Sequence, residues 1–343
     1  MTLTASEYLK IRKEADSSYR PLIFFDDDAD GLCSFLMLYD HIKDGKGVII
    51  KTTPVIDKKF LRKVKEYPLD KIFVLDIAEV TQNFIDSAKT RIVWIDHHQP
   101  LERKNITYFN PLNNDDNTQP TSYLMYKALK NNIWLAMAGC IGDWFIPDFS
   151  DEFIKKYPDL FSADIKEPDE ALFSTEIGNI SKILSFILKG SVRSAMTCVK
   201  IMTRIKEPYE ILEQTTSKGK FIYNKFEKIN SRYESLLSEV KPTKKNILTY
   251  IYSANRMSFS SDLSNELLYR YPKKIIVVGR DSRGYIKLSF RSKNIEILNL
   301  VAQAIKGLDG FSGGHLLACG GQVKKEDFDV FMKRLEKLVK QAK

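Results

Sequence analysis

The stretch PLIFFDDDADGLCSF, Pro21 to Phe35, runs four apolar residues, Leu22 to Phe25, straight into four acids within five positions: Asp26, Asp27, Asp28 and Asp30. Carboxylates this close repel one another. In an extended segment side chains alternate, which puts Asp26, Asp28 and Asp30 on one face. The apolar run has the character of a buried strand, and open α/β sheets bind ligands at the carboxyl ends of their strands. Gly31 then permits a sharp turn into a helix. The acids form either a solvated turn or a cation site, and the rest of the chain decides between them.

LIFF (22–25), GVII (47–50), KIFVLD (71–76) and RIVWID (91–96) are short apolar runs of strand character. Amphipathic stretches such as Gly31 to Ile42 and Val80 to Lys89 alternate with them. This alternation predicts an α/β domain with a doubly wound, mostly parallel sheet. KIFVLD ends in Asp76, and RIVWID ends in Asp96, followed at once by His97 and His98. AMAGCIGDWF (136–145) is a further apolar run, and it delivers Asp143 in the manner of another strand end. An Asp at one strand end is often only a helix cap. A lone His-His pair is more often structural than a ligand. Four apolar segments delivering such groups to one edge point instead to metal. Clustered carboxylates raise each other's pKa or need a counter-cation, and two divalent ions would neutralise them.

The chain has 343 residues, which suggests two domains. Its composition, 43% hydrophobic and 28% charged, is that of a soluble globular protein. No apolar run is long enough to span a bilayer, and the polar N-terminal segment lacks a signal peptide's apolar core. The expectation is a cytoplasmic protein with no membrane partner. Cys33, Cys140, Cys198 and Cys319 form no C-x-x-C pair and are expected to be buried free thiols. A net charge of +9 favours a polyanionic partner such as nucleic acid. Of the four histidines, His41 falls on a predicted helix and is read as an ordinary helix-end residue.

Residues 148–171 are acidic, carry two prolines and form an excursion from the sheet pattern; residues 176–206 look helical. From Ile222, apolar residues recur at Phe226, Ile229, Tyr233, Leu236 and Val240, the spacing of one long connecting helix that Pro242 ends. The last hundred residues form a smaller α/β unit. NILTYIY (246–252), KIIVVG (274–279) and YIKLSFRS (285–292) are strands, the last with Ile286, Leu288 and Phe290 on one face. A glycine-rich stretch follows at 310–321, then a helix carrying Phe328, Phe331, Leu335 and Leu338. The expected organisation is a catalytic domain (1–190), a helical connector (191–243) and a C-terminal domain (244–343), with the catalytic cleft between the two domains. Tyr123, Trp144 and Phe145 have the stacking surface for bases, though core packing accounts for each.

DDDADG (26–31), LDIAEV (75–80), IDHHQP (95–100) and GCIGDW (139–144) resemble, in order, the four motifs of the DHH phosphoesterase superfamily. GGHLLACGG (313–321), preceded by KLSFRS (287–292), resembles its C-terminal DHH-associated domain. The likeness is strongest to RecJ-like exonucleases and nano-RNase-like oligonucleotide hydrolases, particularly the short archaeal RecJ-like type. The first motif position is His in many members and is Asp26 here, as in RecJ-like sequences.

The resemblance implies a metal-dependent phosphodiesterase with two divalent ions, manganese ahead of magnesium. Asp26, Asp28 and Asp76 would hold one ion and Asp30, Asp76, His97 and Asp143 the other. His98 would contact the scissile phosphate or protonate the leaving group, and Asp96 would orient a histidine. Ser289, Arg291, Gly313, Gly314 and His315 would bind substrate, the glycines by close approach of a loop backbone to phosphate. The implied activity is exonucleolytic release of nucleoside monophosphates from single-stranded DNA or RNA, or from short oligonucleotides. Two other readings stay open: a phosphoesterase for a 3'-phosphonucleotide or linear dinucleotide, and a non-catalytic Cdc45-like replication scaffold. The family also raises a GINS-like replication partner.

Overall fold

The computed structural model describes residues 3–51, 54–114, 118–253 and 257–342. The chain separates into two compact units, Met1–Glu227 and Lys228–Lys343.

In the first unit the strands are β1 (Leu22–Asp26), β2 (Lys46–Ile50), β3 (Val55–Ile56), β4 (Ile72–Leu75), β5 (Glu79–Val80), β6 (Ile92–Ile95) and β7 (Thr107–Phe109). Five of them form one all-parallel sheet in the order β2-β1-β4-β6-β7, and β3 pairs with β5 alone. Every residue of β4 and β6 is buried, and so are the first four of β1. Strands covered on both faces read as unbroken apolar runs, which is why LIFF, IFVL and IVWI stand out. The order reverses between β1 and β4, and such a switch point opens a crevice at the strands' carboxyl ends.

Apart from AMAGCIGDWF, the predicted strands are present. The short β7 carries only three residues, too few to leave a pattern in the sequence. The stretch from Val80 to Lys89 divides: Glu79 and Val80 belong to β5, and the helix is Gln82–Ala88, capped by Thr81. AMAGCIGDWF is not a strand. Residues 136–142 of it lie in the helix Ile133–Gly142, whose first nine residues are all buried, and full burial hides the periodicity that marks a helix. The excursion after residue 147 contributes the helices Ser150–Lys156 and Pro168–Ser174, with Phe153 and Ala171 buried.

Gly31 shows why β1 must turn as it does. A Cβ there would lie 2.7 Å from the Asp26 amide nitrogen and 2.8 Å from its carbonyl oxygen. The close approach brings the start of the helix Ala29–Ile42 onto the end of the strand. Gly31→Ala is therefore expected to push Asp26 aside and to lower stability by about 1–3 kcal/mol. Chemical denaturation with and without Mn²⁺ checks this, and the loss should be larger with the ion.

One helix, Ser217–Ser238, carries Ile222, Phe226, Ile229, Tyr233 and Leu236, all buried. It ends four residues short of Pro242, leaving Val240 outside. The division between the units, Glu227 to Lys228, falls within it.

The second unit has β8 (Ile247–Ser253), β9 (Ile275–Ser282), β10 (Tyr285–Arg291), β11 (Gly310–Gly314) and β12 (Ala318–Lys324), in the order β11-β12-β10-β9-β8. β8 and β9 run parallel and the other pairs antiparallel. Ile286, Leu288 and Phe290 of β10 join a core with the helices Ile297–Ile305 and Phe328–Gln341. The glycine-rich stretch is thus a hairpin of two strands joined at His315–Ala318. All four cysteines are free and buried. Among the described residues no helix is long and apolar enough to cross a membrane.

Candidate metal centre

Four elements bring acids to the carboxyl edge of the parallel sheet. Asp26 ends β1, Asp76 follows β4, Asp96 follows β6, and Asp143 caps the C-terminus of the helix Ile133–Gly142. Asp143 therefore arrives from a helix end, not a strand end. The alternation expected of Asp26, Asp28 and Asp30 also holds only in part. Asp28 is extended and is the N-cap of the next helix, its Oδ1 accepting from the Gly31 amide at 2.9 Å, while Asp30 already lies in that helix's first turn. The strand-to-helix transition sends the acids in two directions.

Three groups of side chains have ligand atoms within 4.8 Å of one another: Asp26, Asp28 and Asp76; Asp30, His97 and Asp143; and Asp76, His97 and His98. Asp76 and His97 each belong to two groups. His97 Nε2 lies 3.3 Å from Asp76 Oδ1, and its Nδ1 lies 3.6 Å from Asp143 Oδ2. All six residues expected as metal ligands converge. Asp76 adopts φ 58°, a left-handed conformation in which Asp is tolerated better than most residues, so its backbone is held in a sparsely used region at the centre of the cluster.

The charge on these groups is out of balance. Burial, reinforced by Asp28, pushes the Asp26 carboxyl up to about 8, and burial pushes Asp143 up to about 7 against the pull of His97. Burial and the neighbouring Asp30 raise Asp28 and Asp76 as well. His97 is raised: burial works against its protonation, but Asp143, Asp30 and Asp96 outweigh it. Buried carboxylates packed this closely need a counter-cation to ionise at neutral pH, and a mixed carboxylate and imidazole donor set suits Mn²⁺ or Mg²⁺.

The sign of the pH effect follows. A carboxyl whose folded pKa is raised keeps its proton where the unfolded chain has lost it. The folded state then binds more protons, and stability falls as pH rises from the ordinary 3.8 of Asp26 towards 8. In EDTA the melting temperature should be lower at pH 8 than at pH 5. Mn²⁺ should raise it, and more at pH 8, because the ion displaces protons. A melting temperature in EDTA that does not fall over this range would contradict the account.

Asp96 is fully buried and serves His98. Its Oδ1 is 2.8 Å from His98 Nδ1, its Oδ2 accepts from the His98 amide at 3.1 Å, and the Tyr108 hydroxyl donates to Oδ2 at 3.4 Å. Asn110 Nδ2 donates to the His98 carbonyl at 2.8 Å. The ring is fixed through Nδ1, so Nε2 is the nitrogen left for chemistry. Burial opposes its protonation, but the hydrogen bond to Asp96 raises its pKa overall.

Two residues that no sequence motif singles out also belong here. The Thr121 and Ser122 amides donate to Asp30 Oδ2 and Oδ1 at 2.7 and 2.8 Å, so a carboxylate 91 positions away caps the helix Thr121–Leu129. The Thr121 hydroxyl donates to Asp76 Oδ1 at 3.4 Å. The positive end of that helix faces the acids. The clue in sequence was Pro120-Thr121-Ser122, a helix start with no local side-chain cap.

In the second unit Ser289 pairs with Gly320, which pairs with Gly313, so these three share a rung. Arg291 is half-buried, its guanidinium donating to Asn265 Oδ1, Ser289 Oγ, the Phe290 carbonyl and Ser261 Oγ at 2.7–3.1 Å. These acceptors are neutral, and among the described residues they leave one of its N–H groups over. Gly314 has φ 130° and abuts the Cys319 Cα, so glycine is needed there. His315 is exposed at the hairpin turn. Tyr123 is buried in the core against Phe145 and Phe149, whereas Trp144 and Phe145 are half-buried. His41 pairs with Asp16 at the end of its helix.

Residues 20–142 match the family model described as "DHH family, N-terminal domain", and residues 246–341 match the DHHA1 domain. The chain belongs to the DHH family of phosphoesterases. Its fold is shared by solved members. RecJ of Thermus thermophilus in complex with Mn²⁺ aligns at TM-score 0.65 and 14% identity, over 98% of this chain and 54% of that one. This DHH chain therefore spans about half the length of that relative. An exonuclease RecJ bound to manganese aligns at TM-score 0.61 and 15% identity, over 98% and 94%. The pGpG-specific phosphodiesterase PggH of Vibrio cholerae aligns at TM-score 0.50 and 15% identity, over 95% and 100%. No curated protein sequence matches the chain.

Proposed function

We propose that this DHH protein is a metal-dependent phosphodiesterase that removes nucleoside monophosphates from the ends of single-stranded DNA or RNA, or from short oligonucleotides. The observation that carries the reading is the cluster of three donor groups linked through Asp76 and His97, whose buried carboxyls favour their protons near neutral pH. Asp26, Asp28 and Asp76 would hold one divalent ion and Asp30, Asp76, His97 and Asp143 the other, Mn²⁺ or Mg²⁺. Such ions supply a water nucleophile at neutral pH and offset charge on the phosphoryl oxygens.

The chain's own groups do the rest. Asp96 keeps His98 oriented and its ring proton-rich, so Nε2 can donate to a phosphate oxygen or to the leaving oxygen. Thr121 and Ser122 fix Asp30, and Thr121 steadies Asp76. The spare N–H of Arg291 beside Ser289 is suited to a phosphate.

The test is hydrolysis of end-labelled RNA and DNA ladders, from two nucleotides upward, in Mn²⁺. Stepwise loss of mononucleotides supports the reading, and the label position gives the polarity. Cleavage confined to dinucleotides would restrict the substrate to the size of pGpG, which the V. cholerae neighbour's name specifies. No hydrolysis of any length in Mn²⁺ or Mg²⁺ would overturn it.

A further inference from the structure

One row of the second sheet carries charge that its packing leaves uncompensated. Arg280 of β9 pairs with Lys287 of β10, Lys287 with Gln322 of β12, and Gln322 with Phe311 of β11. Directly paired residues point to the same side of a sheet. This is the side opposite Ile286, Leu288 and the core.

Two cations thus stand directly opposite each other, an arrangement that destabilises a strand pair. Among the described residues neither has a carboxylate partner, and Arg280 Nε is buried with no hydrogen-bond acceptor. At the other end of the row Phe311 is 61% exposed on an edge strand, where a large apolar ring is a liability. Two residues along the strands, a Cβ on Gly313 would meet nothing within 4 Å, and one on Gly320 only the Leu288 carbonyl at 3.6 Å. Neither glycine has a positive φ, so the fold would accept side chains there. The face combines two unneutralised cations, an exposed ring and a bare stretch of backbone.

We propose that the row Arg280, Lys287, Gln322 and Phe311 is a nucleotide subsite: Arg280 and Lys287 take a backbone phosphate of a single strand, and Phe311 stacks its base. Lys287 and Phe311 lie two strands apart, about 10 Å, the scale of one nucleotide from phosphate to base. Gln322 lies between them, with an amide that can donate and accept. The assignment rests on the oligonucleotide reading and extends it, since the row lies two residues along the strands from Ser289 and Gly313.

The test is binding of a fluorescent pentanucleotide to the full chain carrying Asp76→Asn, followed by anisotropy across a salt series. Lys287→Glu should weaken binding about tenfold and flatten the salt dependence by about 0.7 in log–log slope, the loss of one phosphate contact. Phe311→Ala should weaken it about tenfold with the slope unchanged. Lys337→Glu, on the helix Phe328–Gln341, should change the affinity less than twofold. Affinities for Lys287→Glu and Phe311→Ala equal to the parent's would overturn the subsite. So would a loss in Lys337→Glu matching that in Lys287→Glu, which would mean diffuse attraction to a basic chain. Wild-type hydrolysis is measured separately. If both variants lose affinity while the wild type cleaves nothing, the subsite stands and the phosphodiesterase reading fails; cleavage without either loss of affinity gives the reverse.

Discussion

Asp76→Asn is expected to cut metal-dependent hydrolysis by about 10³-fold or more while leaving a folded chain. Asp76 is shared by two donor groups, so its loss disturbs both. The scale is that of removing a main centre of transition-state charge stabilisation. Asn is the right replacement because the backbone at this position has φ 58°. Asn tolerates the left-handed region, whereas Ala would add strain unrelated to the metal. The variant also separates site from scaffold. Asp76 is ringed by Asp30, Asp28, Asp26 and Asp143, which with burial raise its pKa. Asn is neutral there without holding a proton, so the metal-free variant should be at least as stable as the wild type at pH 8. The stabilisation by Mn²⁺ should shrink. Thermal melts with EDTA and with Mn²⁺ give both numbers. A variant that hydrolyses normally would remove Asp76 from the mechanism. One that is inactive and unfolded would leave its role structural.

His98→Ala should lower kcat by about 10²- to 10⁴-fold, the range for general acid–base groups. Asp96→Asn is the more informative partner. Asp96 raises the His98 pKa through its hydrogen bond and its charge, against the downward pull of burial. Neutralising it removes the upward part and leaves the downward part. If protonated His98 assists the leaving oxygen, activity falls as pH rises through its pKa, and in Asp96→Asn that alkaline limb should move to lower pH. A profile that drops in height without moving would mean that Asp96 only supports the β6 edge, where its amide bonds to the Phe109 carbonyl. His97→Ala should differ in kind, weakening metal-dependent stabilisation as well as rate, because His97 lies against Asp76 and Asp143.

Much of this centre was legible in the sequence because parallel strands advertise themselves. LIFF, IFVL and IVWI are apolar throughout since both faces are covered, and each acid follows where the apolar run stops. The residue after a buried strand sits at a fixed edge, so identity and position could be read together. The contribution of Asp143 was legible only as an acid after an apolar run, since a helix buried on nearly all sides has no polar stripe to set its period. The roles of Thr121 and Ser122 were not legible at all, because the carboxylate they hold is 91 positions distant from Thr121 and only the fold brings it near. The glycines near residue 313 suggested a loop because strand interiors seldom carry them. They lie in an edge hairpin instead, where Gly310 and Gly321 sit against the backbone of the facing strand and Gly313 meets nothing.

The central claim is that one cluster of carboxylates and imidazoles binds two divalent ions through a shared Asp76. Its most direct test is titration of the metal-free chain with Mn²⁺, followed by electron paramagnetic resonance and by proton release at pH 7. The account predicts two ions per chain with a spin-coupled signal, protons displaced from the raised carboxyls, and loss of the coupling in Asp76→Asn. No ion bound, or an uncoupled signal that Asp76→Asn leaves unchanged, would contradict it.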